Sequence, residues 1–234
     1  MSNDSSNLKN VLICGDSFGV TDPDYPGLHF SEKILNATPP VFELNNLAHG
    51  GDSNALITLQ LMQGLQFKPD FVILLFTSTH RHETDKDINV HYPKDLKFDE
   101  LKEFRHNRYS TGLGSKNSVN HNLVEQWNSQ FISDDFEIMK NYFLIHYCLQ
   151  SLKEHKIPFC YSLGGMKHGI NYSSTVDKHF IKNQIIDYTD QSLKINLWNH
   201  KNNKERPYFH VDNDDVQTAF ANECIYHLRN ANIV

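Results

Sequence analysis

The chain lacks any long hydrophobic run: its strongest apolar stretch is "FVILLF", residues 71 to 76, against the ~20 residues that a membrane-spanning helix needs. Met1 to Asn10 is polar and does not read as a secretory leader. A soluble, cytoplasmic protein with no membrane span is therefore expected. The chain also lacks a basic run; 28 acidic residues outweigh 22 basic ones, for a net charge of −6. Such a balance gives a phosphate backbone nothing to follow, so nucleic acid is not expected as a partner. Cysteine is scarce. The four present, Cys14, Cys148, Cys160 and Cys224, have no CxxC spacing, and three of them sit in apolar runs, as small buried free thiols would. "HRHE" at 80 to 83 offers His80, His82 and Glu83 as ligand-type residues, but there is no HExxH and no clustered Cys to support a metal site. No metal and no organic cofactor are implied.

What is present is an alternation of apolar strands and amphipathic helices. No shift in composition divides the 234 residues, so one domain is expected. Val11 to Cys14 reads as a short buried strand, and a helical stretch around His29 to Leu35 ends before Pro39-Pro40. Val41 to Leu47 is a second strand. Asp52 and Ser53 offer caps to a helix over Ser53 to Leu65, in which Ala55, Leu56, Leu59, Met62 and Gln63 recur at helical spacing. Residues 71 to 76 are apolar at every position, as a central parallel strand requires. Residues 80 to 130 are polar, contain His106 and His121, and carry no sustained period, which marks an insertion or lid.

Periodicity resumes with Phe131, Phe136, Met139, Phe143, Leu149 and Leu152, predicting a helix over Asp134 to His155. A strand over 157 to 163 follows, then a short last strand over Lys194 to Trp198. A helix over Val216 to Arg229 presents Val216, Ala219, Phe220, Ile225 and Leu228 on one broad face. Strand and helix alternating in this way favour a parallel sheet covered on both sides, with sites at the carboxyl ends of the strands.

One of those ends carries the motif of interest. "NVLICGDSFGV", residues 10 to 20, runs from a buried strand directly into Gly15, Asp16 and Ser17. Gly15 to Gly19 fits GxSxG, but only fourteen residues precede Gly15, too few for the strands and oxyanion loop that an α/β-hydrolase elbow needs. "NLAHGGDSN", residues 46 to 54, follows the second strand, and "RPYFHVDNDDVQTAFA", residues 206 to 221, places His210 just before the last helix. In order and position these blocks resemble those of the SGNH (GDSL-like) hydrolases.

That resemblance implies a three-layer α/β/α, flavodoxin-like fold and an ester-hydrolysing serine enzyme. Ser17 would be the nucleophile, His210 its base, and the backbone amides of Ser17 and Gly51 donors to the oxyanion. The family's third block normally supplies an Asn donor, but "FTSTHRHE" puts Ser78 or a neighbour there, with Arg81 as the other nearby donor. Position 207 is Pro where the family has Asp, so Asp212 or Asp214 would orient the imidazole.

The chemistry joins these residue types. A serine hydroxyl attacks only as a base takes its proton, and the tetrahedral intermediate needs fixed donors for its negative oxygen. The substrate would be a small acyl or carbohydrate ester. Asp16 and Ser17 also fit a plain helix cap, and the missing Asn and Asp are compatible with a non-catalytic binding or structural protein of the same fold.

Overall fold

The computed structural model describes residues 8–38, 42–77, 134–164, 189–195, 197 and 214–234. The predicted insertion at 80 to 130 lies outside the described residues. Four strands, β1 (Lys9–Gly15), β2 (Phe42–Asn46), β3 (Phe71–Leu75) and β4 (Phe159–Ser162), pair in parallel in the order β2-β1-β3-β4. Among the described residues four α-helices accompany them: α1 (Phe30–Ala37), α2 (Asn54–Gly64), α3 (Asp134–Glu154) and α4 (Asp214–Asn230). This order is that of a doubly wound, flavodoxin-like sheet.

Side chains that alternate along each strand divide the core into two layers. Val11, Ile13, Phe71, Ile73 and Leu75 face α1 and α4, where Phe30 meets Phe220 edge to face at a centroid distance of 4.9 Å. Leu12, Cys14, Val72, Leu74 and Tyr161 face α2 and α3 with Ile57, Leu61, Leu149 and Leu152. Fully burying a side chain of this size contributes roughly 1.5–3 kcal/mol. The result is three layers, helices on either side of a sheet whose central strands are buried at both faces.

Helix α1 begins at His29, whose imidazole accepts from the Ser31 N–H while Glu32 reaches back to the His29 N–H, closing a capping box. The Phe30 N–H donates to Gln217 Oε1 at 2.9 Å, which ties α1 to α4. All four cysteines are free and buried.

Three sequence expectations change. Helix α2 turns inward not the Ala55, Leu56, Leu59, Met62 and Gln63 face but Asn54, Ile57, Thr58, Gln60, Leu61 and Gly64. The helix carries apolar residues on both sides, so hydrophobicity alone does not choose, and the polar partners of Asn54 and Gln60 decide the rotation. In α3 the buried face is Ile145, Cys148, Leu149 and Leu152, and Phe143 is about half exposed. Across Lys194 to Trp198 the described residues form no strand. A 3-10 turn at Thr189–Gln191 leads to one bridge between Ser192 and Tyr161. The Lys194 and Ile195 N–H groups then donate to the Glu223 carboxylate of α4, at 2.9 and 3.1 Å, so the ladder stops.

Candidate active site

The site is built where β1, β2 and β3 end. Past Gly15 the chain turns at once into a 3-10 turn, Ser17–Gly19. Asp16, with extended backbone, caps that turn: its Oδ1 accepts from the Phe18 N–H at 3.0 Å. Capping therefore falls to Asp16, and the Ser17 side chain, half-buried, stays outside the capping bond. Asp16 is fully buried, and its Oδ2 accepts from the Thr77 hydroxyl at 2.8 Å. With one oxygen on the turn and the other on Thr77, this carboxylate joins the end of β1 to the end of β3.

The loop after β2 is sewn to the same turn. The Leu47 N–H donates to the Ile13 carbonyl and the His49 N–H to the Gly15 carbonyl, at 2.8 and 3.1 Å. Asn46 donates to the Gly19 carbonyl at 2.6 Å and accepts from the Ala48 N–H at 2.9 Å. Gly19 has to be glycine for this approach, since a Cβ there would fall 2.5 Å from the Ala48 Cβ. The loop then brings Gly50 beside the nucleophile candidate: a Cβ built on Gly50 would stand 3.9 Å from the Ser17 Cβ. Gly51 has φ +88, a left-handed turn that favours glycine. Among the described residues, no acceptor meets the backbone N–H of Ser17 or of Gly51.

Two features escaped the sequence reading. His49 Nδ1 lies 3.1 Å from Asp52 Oδ1, with the histidine 41% exposed and the aspartate fully buried. The spacing His-x-x-Asp was visible, but a carboxylate beside a helix start reads first as a cap. The second feature is a pair of amides on α2. Gln60 accepts from the Gly15 N–H at 2.8 Å and donates to the Gly15 carbonyl at 3.1 Å, while also donating to Asp52. Asn54 accepts from the Thr77 N–H at 2.8 Å and donates to the Thr77 carbonyl at 3.1 Å. Neither partner is near in sequence, so no local pattern marks them.

Behind the turn, His29 Nε2 donates to the Phe18 carbonyl at 2.9 Å, and Nδ1 accepts from the Ser31 hydroxyl at 2.7 Å. Burial pushes this imidazole down to about 4, so it is neutral at pH 7. Burial likewise raises the Cys14 thiol well above its ordinary value, which keeps it protonated and leaves it no nucleophile.

Of the sequence candidates, Ser17 and Gly51 are brought into one loop cluster. Ser78, Arg81, His210 and Asp212 lie outside the described residues. Asp214 begins α4 and is exposed, and Lys33 holds its carboxylate at 2.6 Å. An open groove of about 910 Å³ lies elsewhere, at the amino ends of β3 and β4, between Phe71, Phe159, Glu223 and His227.

No protein-family model matches the chain, and no curated protein matches it in sequence. Solved structures similar to it in chain path include the psychrotrophic esterase EstA from Pseudoalteromonas sp., inhibited by monoethylphosphonate in that structure. It is 11% identical, with 95% of this chain and 97% of that one covered and a TM-score of 0.49. An acetyl xylan esterase, AlAXEase, is 18% identical over 93% of this chain and 98% of that chain, with a TM-score of 0.45. A protein from Desulfitobacterium hafniense DCB-2, described as lipolytic and of the G-D-S-L family, is 11% identical over 97% and 99%, with a TM-score of 0.42.

Proposed function

We propose that the protein is a serine esterase that cleaves a small acyl ester, carbohydrate esters included, through an acyl-enzyme on Ser17. The observation that carries this reading is the juxtaposition of Ser17 with the Gly50-Gly51 loop at the carboxyl edge of the sheet. The Ser17 side chain lies outside the capping bond that Asp16 makes. The two amides that such chemistry needs, those of Ser17 and Gly51, meet no acceptor among the described residues.

In this mechanism Ser17 Oγ attacks the ester carbonyl as its proton passes to the imidazole of His210. The carbonyl oxygen becomes negative and is received by the Ser17 and Gly51 amides, with Ser78 or Arg81 adding a donor from the segment after β3. Collapse expels the alcohol, which takes the proton from the imidazolium. Water, activated by the same imidazole, then releases the acid and restores Ser17. Asp16 has a framing role beside this chemistry, with one oxygen on the Phe18 N–H and one on the Thr77 hydroxyl. Asp212 is the first proposed orienting acid, and Asp214, already paired with Lys33, the second.

The direct test is a fluorophosphonate probe followed by peptide mass spectrometry. An adduct on Ser17 that is lost in Ser17→Ala supports the esterase; a folded protein that takes no label at any concentration is a binding module instead.

A further inference from the structure

Helix α2 carries two side-chain amides that face the sheet edge: Asn54 is fully buried and Gln60 only 6% exposed. Each treats the backbone as a neighbouring strand would, accepting from the N–H and donating to the carbonyl of one and the same residue. Asn54 does this to Thr77 and Gln60 to Gly15, in both cases at 2.8 and 3.1 Å. Strands β1 and β3 are neighbours, with Gly15 opposite Leu75 in the register. One helix thus grips the ends of two adjacent strands at the points where the chain leaves for Ser17 and for residue 78.

The rest of the network stiffens this grip. Asp16 and Thr77 also bridge the two strand ends, at 2.8 Å. Asn54 gives its remaining N–H to Asn141 Oδ1 of α3 at 2.6 Å, and Asn141 donates to the Glu137 carbonyl at 2.7 Å. Both N–H bonds of Asn54 are thereby committed within the protein. It is not itself a donor to an oxyanion.

We propose that Asn54 and Gln60 are positioning residues, which set the height at which Ser17 and the segment after Thr77 leave the sheet and hence the spacing between nucleophile and oxyanion donors. The inference rests on the reading of Ser17 as the nucleophile. A misplacement of about 1 Å in such a site costs on the order of 10²-fold in rate, so clamps at the two strand ends act on turnover more than on substrate affinity.

The experiment compares kcat and KM for p-nitrophenyl acetate in Asn54→Ala, Gln60→Ala, Asn141→Ala and Leu152→Ala, at a temperature where circular dichroism shows each folded. Leu152 is buried on α3 far from these strand ends and serves as the control for lost stability. Asn54→Ala and Gln60→Ala should each lower kcat by about tenfold or more with KM within about twofold. Hydrogen exchange should quicken at the Thr77 amide in the first and at the Gly15 amide in the second. Asn141→Ala removes a partner of Asn54 but neither clamp bond, and should give a smaller fall in kcat; it also serves should Asn54→Ala fail to fold. Leu152→Ala should lower Tm and leave kcat unchanged. An active wild type with kcat unchanged in the folded clamp variants, or reduced no more than in Leu152→Ala, overturns the positioning role alone. A wild type that neither turns over ester nor labels on Ser17 overturns the esterase reading, and the positioning role falls with it.

Discussion

The imidazole of His29 donates from Nε2 to the carbonyl of Phe18, the residue after Ser17, across 2.9 Å of buried space. That bond fixes the tautomer, because Nδ1 must then accept, as it does from Ser31. Burial of the ring, which disfavours the charged imidazole more than the bond to Phe18 favours it, makes the fold behind Ser17 sensitive to acid. The folded imidazole is pushed down to about 4, against 6.5 for the unfolded one. Below pH 6.5 the unfolded chain binds a proton that the folded chain refuses, so stability is full above that value and falls as pH drops towards 4. The loss approaches about 3 kcal/mol. Urea midpoints at pH 7.5, 5.5 and 4.5 should show this fall, and His29→Asn, which keeps a capping side chain, should flatten the part due to this group.

Ser17→Ala should abolish hydrolysis of p-nitrophenyl acetate and leave Tm nearly unchanged, because the half-buried hydroxyl makes no capping bond. Loss of a nucleophile removes several powers of ten in kcat. Retention of more than about a tenth of the activity would move the nucleophile elsewhere.

Gly19→Ala should destabilise the fold by about 1–3 kcal/mol, as overpacking does, because the new methyl would fall 2.5 Å from the Ala48 Cβ. Removing the opposing carbon in Gly19→Ala/Ala48→Gly should return most of that loss. Denaturant midpoints of the two variants measure it. No recovery in the double variant would place the strain against Leu75 instead.

Asp214→Asn should leave kcat within about twofold, since Lys33 already holds this carboxylate at 2.6 Å on the surface and exposed pairs contribute little. Asp212→Asn is then the change expected to slow turnover. The reverse ranking would make Asp214 the acid that orients His210.

Arg81→Ala should lower kcat at least about tenfold, on the order of 1.4 kcal/mol in the barrier, and Ser78→Ala should cost less. Ser78→Asn, which restores an amide donor, should raise kcat if Ser78 stands in the donor position. Silence in all three changes of an active enzyme would put the segment after Thr77 outside the oxyanion hole.

The sheet was legible because β3 is apolar at every position and β1 from Val11 to Cys14: residues 71 to 76 read as a buried parallel strand, and β3 is one. The cap at Ser53 was legible because its signal is local, as were Phe220, Ile225 and Leu228 of α4, whereas Gln217, Ala221 and Cys224, buried on the same helix, were not read. The site's frame was not legible. Asn54 and Gln60 look like ordinary polar residues of an exposed helix face, and only their partners, Thr77 and Gly15, turn them inward. The segment around Lys194 read as a short strand, but its backbone amides at 194 and 195 go to a single carboxylate, Glu223, on a helix 28 and 29 residues further on. Pairing across such separations leaves no periodic trace.

The two clamps of α2 are made of uncharged amides closed on uncharged backbone. Screening by salt acts on charges, and over lengths that shrink to about 3 Å at 1 M; a neutral, buried grip offers it nothing to weaken. The grip of these two clamps on the ends of β1 and β3 is therefore indifferent to ionic strength, and a salt dependence of turnover belongs to the substrate and to charged groups, the Asp16 carboxylate that bridges the same strand ends among them.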